Sequence, residues 1–336
     1  MLNIFYSPEY FTVLYKKILF TKQLKYSVIF DLIVKVFYFL NIANPKKIII
    51  TGPQMRMYHL IKTFKNKKNI SFNKHRYDNY YLIQFDKYGE KVLNKILESP
   101  NPNLKILVGP LYGYEDDIKL NEYMNKHNFI KKIVASESGL EIQGKYENKV
   151  NEKDIIVCPS GIISSSDIMD KIQSKESKYD CLIYFKKRNL EELNKIINFL
   201  EKRTLSYRVL KYGEYKQGDL SRFSMESKFG IIINKTESQG FAIQEMMANN
   251  LPLMVWDYQV NNYQGFVLNG TSVPWWDDEK CGMKVNSYDE FINKFDIFTS
   301  RLDEFAPASF IKNNLTYEIF FEKVIGIFEE SSIWSN

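Results

Sequence analysis

Apolar runs of strand length alternate with stretches of helical spacing along most of this chain. Tyr80–Phe85, Leu104–Val108, Lys132–Ala135 and Asp154–Cys158 read as strands, with an earlier one at Lys47–Thr51. Between them, Met55–Phe64, Gly89–Glu98, Asp116–Lys126 and Ser138–Lys145 repeat apolar residues at helical intervals. Ser174–Lys178 is polar and interrupts the series. A second series then begins, with strands at Tyr179–Phe185, Ser206–Lys211, Phe229–Asn234 and Leu253–Trp256. Its helices fall at Leu190–Lys202, Asp219–Ser227 and Phe241–Ala248, and Phe320–Glu329 predicts a closing helix. Such alternation predicts an α/β fold with doubly wound parallel sheets. Two series predict two domains, 45–175 and 176–312, preceded by a helical segment over 1–44 packed on the first domain and followed by the closing segment 313–336.

The first segment changes the picture little. Pro8–Ala43 reads as two helices, the second rich in apolar residues. Asp31 and Lys35 interrupt that run, which is short for a membrane span. Lys16, Lys17, Lys22 and Lys25 beside aromatic residues could suit a peripheral membrane contact through residues 1–43. The alternative is that this face packs on the protein's own core.

Length and charge set further bounds. A chain of 336 residues is long enough for two domains. The net charge of +6 comes from Lys and Arg that are scattered rather than banded, so no nucleic-acid partner is expected. Three distant cysteines without a secretory signal predict a reduced, cytoplasmic setting. Three scattered histidines and no cysteine pairs give no zinc pattern, and no metal site is expected. No phosphate-binding Gly-x-x-x-x-Gly-Lys-Ser/Thr or hydrolase Gly-x-Ser-x-Gly motif is present.

The chemistry concentrates in Lys228–Asp257, KFGIIINKTESQGFAIQEMMANNLPLMVWD. This is strand, loop, helix, turn and strand, one parallel βαβ unit. Ser238 is the expected N-cap, and Gly240 allows close approach of another molecule to the backbone. A helix N-terminus offers unpaired N–H groups and partial positive charge, which suits a phosphate. Glu237 lies just before the helix and Glu245 two turns inside it, beside the apolar stripe. A partly buried carboxylate needs hydrogen-bond donors, and sugar or ribose hydroxyls supply them. The plainer alternative makes Glu237 a solvated loop charge and pairs Glu245 with a lysine.

Glu237 and Glu245, with the Ala- and Met-rich helix and Pro-led strand that follow, resemble the E-x7-E segment of retaining GT-B glycosyltransferases of the group 1 or family 4 type. The likeness is specific over Lys228–Asp257 and extends over Tyr179–Val285. It implies GT-B architecture, two Rossmann-like domains facing a central cleft. It implies that Glu245 holds the ribose of a nucleotide-sugar donor and that Glu237 lies near the transferred sugar. The backbone at Gly240 and Phe241 would approach the diphosphate or sugar, with Ser238 and Gln239 beside it. Lys186, Lys187 and Arg188 follow the Tyr179–Phe185 strand where the family places basic residues against the diphosphate, although its usual Gly-Arg…Lys-Gly wording is absent. Arg188 is expected to make a bidentate phosphate contact and Lys186 a point-charge one.

Within that frame Glu237, Lys186 and Arg188 are the candidate catalytic residues. Tyr212, after the next strand, could line a nucleobase pocket or simply begin a turn with Gly213. On the acceptor side the candidates are Gly52, Arg56 and His59, after the first strand, and Glu137. The expected reaction moves a sugar from a nucleotide-diphosphate donor to a hydroxyl on a glycan, a lipid or a protein-linked sugar. Retention and independence of metal are what the resemblance implies, with no bound cofactor. The rival classes are a nucleotide- or sugar-binding module of the same shape without turnover, and a nucleotide-sugar epimerase, which the scarcity of histidine disfavours.

Overall fold

The structure is a computed structural model that describes residues 2–5, 67, 70–72, 74, 78–110, 114–168, 177–215, 218–263 and 265–334. The expected elements over 6–66, with Gly52, Arg56 and His59, lie outside the described residues.

Two parallel sheets account for the two series of elements. The first runs in the order β2-β1-β3-β4-β5-β6, built from β1 (Leu2–Phe5), β2 (Ile70–Phe72), β3 (Asn79–Leu82), β4 (Lys105–Val108), β5 (Ile130–Val134) and β6 (Ile155–Val157). The strand at Leu2–Phe5 corrects the expectation of a wholly helical segment over 1–44. It pairs in parallel with both β2 and β3, so Leu2–Phe5 is a buried interior strand. Four residues, LNIF, are too few to show a period.

Alternation along these strands divides the sheet's two faces. Tyr80, Leu82, Ile106 and Val108 face α1 (Lys87–Leu97) and α2 (Tyr114–Lys126). Tyr81, Ile83, Leu107 and Ile133 face the other way, onto Tyr317, Phe320 and Val324. Those three residues belong to α9 (Tyr317–Glu329), the closing helix, which therefore covers the first sheet. A third helix, α3 (Glu137–Gln143), follows β5.

The second sheet runs β13-β10-β9-β7-β8, from β7 (Tyr179–Lys186), β8 (Tyr207–Lys211), β9 (Ser227–Asn234), β10 (Leu253–Trp256) and β13 (Gly282–Val285). Leu182, Tyr184, Ile232 and Val255 pack toward α5 (Asp219–Met225), α6 (Phe241–Ala248) and α8 (Pro307–Asn314). Cys181, Ile183, Ile231 and Met254 pack toward α4 (Leu190–Lys202) and α7 (Tyr288–Ser300). Strands buried on both faces explain the continuous apolar runs. The α4 helix starts with a capping box in which Asn189 and Glu192 exchange bonds with each other's backbone. The structure thus has the two doubly wound, Rossmann-like parallel-sheet domains that the periodicity predicted.

Among the described residues, two segments between the sheets run side by side. Ile162 N–H donates to Leu315 O at 2.9 Å and Tyr317 N–H to Ile163 O at 3.0 Å. A Cβ on Gly161 would lie 2.6 Å from Thr316 O and from the Tyr317 backbone, so only glycine allows this approach. A hairpin, β11 (Val260–Tyr263) and β12 (Phe266–Asn269), leaves the second sheet and reaches the first domain. There Leu268 and Phe266 join Ile142 and Tyr146, and Asn269 N–H donates to Glu141 Oε2 at 3.1 Å. Among the described residues no helix is long and apolar enough to cross a membrane.

Candidate functional site

The carboxyl edge of the second sheet collects polar side chains at the ends of its central strands. Lys186 ends β7 and Asn234 ends β9, and the two residues are register partners. Three residues on, Glu237 turns back toward them. Lys186 Nζ donates to Glu237 Oε1 at 2.6 Å, and Asn234 Nδ2 donates to the same oxygen at 3.1 Å. The Lys186 and Glu237 side chains keep 19% and 13% of their surface, so the pair lies in the floor of the edge and is open to an approaching ligand. Lys186 also stands 4.6 Å from the ring centre of Tyr212, which begins the turn after β8 and is more than half exposed.

One carboxylate holds the neighbouring loop in place. Asp257 follows β10, and its Oδ1 accepts from Tyr258 N–H at 2.9 Å, Thr271 Oγ1 at 2.8 Å and Ser272 N–H at 2.6 Å. Thr271 O in turn accepts the Glu237 N–H at 3.0 Å, and Ser272 Oγ donates to Asn234 O at 3.0 Å. The backbone around Glu237 is thereby fixed by a buried acid some twenty positions away in sequence. Nothing local in the sequence signals this role for Asp257, Thr271 and Ser272.

Under the same edge lies a tyrosine pair. Tyr184, fully buried on β7, meets Tyr215 edge-on with ring centres 6.4 Å apart. Burial pushes the Tyr184 hydroxyl far up, and the nearby Tyr215 and Glu237 reinforce the rise. Burial also raises Tyr215, with Glu245 and Glu237 adding to it and the bond to Tyr184 opposing it. Both hydroxyls therefore stay protonated at neutral pH. Neither tyrosine stands out in the sequence, because Tyr184 inside a strand reads as core and Tyr215 lies in the turn after β8.

Several sequence expectations change here. The N-cap of α6 is Gly240, with φ +82°, and no side chain caps the helix. Ser238, expected as the cap, is exposed two residues earlier. The left-handed turn at Gly240 is what allows the chain to enter the helix directly, and a residue with a Cβ would be strained there.

Arg188 is the second correction. Its guanidinium is only 4% exposed and grips Glu192 in a bidentate pair, with Nε to Oε2 at 2.7 Å and Nη2 to Oε1. Nη1 donates to Asn234 O and Trp256 O, both at 3.3 Å, tying together the ends of β9 and β10. The rings of Trp256 and Tyr258 lie 5.1 and 4.9 Å from the guanidinium carbon. Burial works to raise Glu192, and the bonds from Arg188 outweigh it and hold the acid below its ordinary value. Arg188 is thus a framework residue, with four of its five guanidinium N–H groups committed to the protein. Lys187, at φ +56°, is exposed. That backbone turn is what sends Lys186 and Arg188 to different places.

Gln239 is the third. Its amide pairs with the backbone of Ser160, accepting from Ser160 N–H at 3.0 Å and donating to Ser160 O at 2.7 Å. It is buried at the crossing between the domains and fastens the Glu237 loop there, so it does not face a donor. Phe241 and Glu245 are half-buried in the first turns of α6. Glu137 is exposed at the start of α3. Trp275 Nε1 donates to Ala135 O at 2.8 Å, which joins the two carboxyl edges across the domains. Burial raises the thiols of Cys158 to about 11 and Cys281 to about 12, which keeps both protonated.

No family model matches the chain, and no curated protein matches it. Among solved structures the chain is similar to one from the GtfA/B complex, at 14% identity and a TM-score of 0.48, covering 85% of this chain and 62% of that one. It therefore spans about three fifths of that relative's length. It is also similar to the lipopolysaccharide outer core galactosyltransferase WaaB, at 11% identity and a TM-score of 0.49, covering 84% of this chain and 96% of that one. A third is AviGT4, a glycosyltransferase involved in avilamycin A biosynthesis, at 8% identity and a TM-score of 0.47, covering 83% of this chain and 90% of that one.

Proposed function

We propose that the protein is a glycosyltransferase that moves a sugar from a nucleotide-diphosphate donor to a hydroxyl acceptor. The observation that carries this reading is the Lys186–Glu237 pair at the ends of the central strands, within a segment resembling E-x7-E. A carboxylate that has one oxygen taken by the protein keeps the other for a hydroxyl. In this reading the diphosphate lies against the uncapped start of α6, and Lys186 supplies positive charge to the departing phosphate. Glu237 accepts from a hydroxyl of the transferred sugar and Glu245 from the ribose. Tyr212 offers its exposed ring to the base. No metal is needed for these roles, and the family resemblance favours retention at the anomeric carbon.

The acceptor would be a glycan or lipid-linked sugar met on the first domain, 45–175, with the donor on 176–312. The hairpin and Trp275 bring the first domain against the donor edge, which would exclude water from the reacting bond. We test this reading with a melting-temperature panel of UDP, GDP, ADP and CMP with their common sugars, with and without Mg²⁺. A donor at a hundred times its dissociation constant stabilises by ~2.7 kcal/mol, and Glu245→Ala should abolish that shift without lowering the unliganded melting point. No shift with any nucleotide sinks the reading.

A further inference from the structure

We infer that Asn234 is a positioning residue that aims Glu237, an inference that rests on the glycosyl-transfer reading. Asn234 is fully buried at the end of β9. Its Nδ2 donates to Glu237 Oε1 at 3.1 Å, beside the Lys186 Nζ bond at 2.6 Å. Two donors converge on a single oxygen and fix the carboxylate's rotation. Glu237 Oε2 has no partner among the described residues and is not a buried atom, so it is the oxygen presented to a ligand.

The other half of the amide makes the argument specific. Asn234 Oδ1 is buried and has no hydrogen-bond partner. Turning the amide over would set that oxygen against a carboxylate, so the Nδ2 assignment is fixed by Glu237. A buried acceptor without a partner works against stability, and a small apolar side chain would avoid it. The amide is therefore explained by its N–H alone. The backbone of Asn234 is separately pinned, since its carbonyl accepts from both Arg188 and Ser272. The side chain can thus be changed while the strand end stays in place.

The mechanism is a division of labour on one carboxylate. In the glycosyl-transfer reading Lys186 turns to the departing phosphate, and once it leaves Glu237 only Asn234 still holds Oε1. Without the amide the carboxylate would rotate freely about its terminal bond at the moment the lysine departs. The loss should fall on turnover rather than on donor affinity.

The experiment measures donor hydrolysis without acceptor, using UDP-glucose, UDP-galactose, UDP-N-acetylglucosamine, GDP-mannose and ADP-glucose. Asn234→Ala is expected to lower kcat by on the order of 10- to 100-fold with KM within about twofold. Asn234→Asp, of the same size, is expected to lower it further by placing a second carboxylate against the first. In a Glu237→Gln background, Asn234→Ala should have no additional effect beyond about twofold. The melting point of Asn234→Ala should stay within about 2 °C of wild type, whereas Asn234→Asp, which buries a carboxylate beside Glu237, should melt lower. Unchanged kcat in both variants overturns the inference, as does an equal further loss in the Glu237→Gln background. Wild-type turnover of none of the five donors overturns the glycosyl-transfer reading itself, and the inference falls with it.

Discussion

Two lysine clusters, one in each domain, show what separates a structural polar network from a site. Lys132, on β5, is fully buried, and its Nζ reaches Asn121 Oδ1 at 2.6 Å, Gln143 Oε1, and Asp117 Oδ1 at 3.4 Å. Gln143 and Tyr146 also bond Asp117, at 3.4 and 3.5 Å. Every ammonium hydrogen of Lys132 has a protein acceptor, and the network is closed. Lys186 has one carboxylate oxygen and the face of a ring. Its neighbour Glu237 carries a second oxygen that the protein does not use and that is not buried. The first arrangement spends all its hydrogen bonds on the fold. The second leaves bonding capacity at the edge where the loops meet.

That difference can be broken from either side. Lys132→Met leaves the polar partners of a buried ammonium without it and is expected to cost about 3–5 kcal/mol. The melting point should fall by roughly 10 °C, while Lys186→Met should cost less than about 1 kcal/mol. Thermal or urea unfolding of the two variants checks this, and equal losses would erase the distinction. Arg188→Ala belongs with Lys132 on this scale. It removes a bidentate pair and two carbonyl contacts from the ends of β9 and β10, at about 2–4 kcal/mol. Nucleotide affinity measured on the folded fraction should be retained, and its loss would return Arg188 to the site.

Activity should show the opposite ranking. Lys186→Met is expected to lower donor turnover about 100-fold, or ~2.7 kcal/mol, with its melting point nearly unchanged. Initial rates on the five-donor panel check this.

The smallest expected effect is a pH dependence confined to the closed cluster. Burial raises Asp117 above its ordinary 3.8, with Lys132 opposing the rise, and burial lowers Lys132. A raised folded-state value means that the folded protein holds the Asp117 proton more tightly than the unfolded chain. The stability that Asp117 contributes is then complete below 3.8 and is lost as pH rises through the raised value. The difference in unfolding free energy between wild type and Asp117→Asn should therefore shrink from acid toward neutral pH. A flat or growing difference contradicts this sign.

The second domain was more legible in the sequence than the first. Long runs such as FGIIIN, and a helix bounded by Gly240 and Asn249, carry enough residues to show a period and both stops. Leu2–Phe5 and Ile70–Phe72 are too short for any period, yet they pair with each other and set the first sheet's edge. The β11–β12 hairpin was also missed, since VNNY and FVLN mix polar residues into both strands. At the site, local spacing brought Glu237 and Lys186 to one edge. It could not show which way a side chain turns after a strand. Arg188 and Gln239 were expected at a ligand and are instead drawn inward by Glu192 and Ser160. Asn234 gave no signal, because a polar group at the end of a buried strand looks like an ordinary boundary, and Tyr184 inside β7 and Tyr215 in the turn after β8 look like core and loop.

The most direct test of the account is donor turnover by Glu237→Gln, measured on the five-donor panel beside its melting point. The account predicts a loss of about 100-fold or more, with a melting point within about 2 °C of wild type. Turnover within about twofold of wild type, on equally stable protein, would contradict the assignment of this edge as the site.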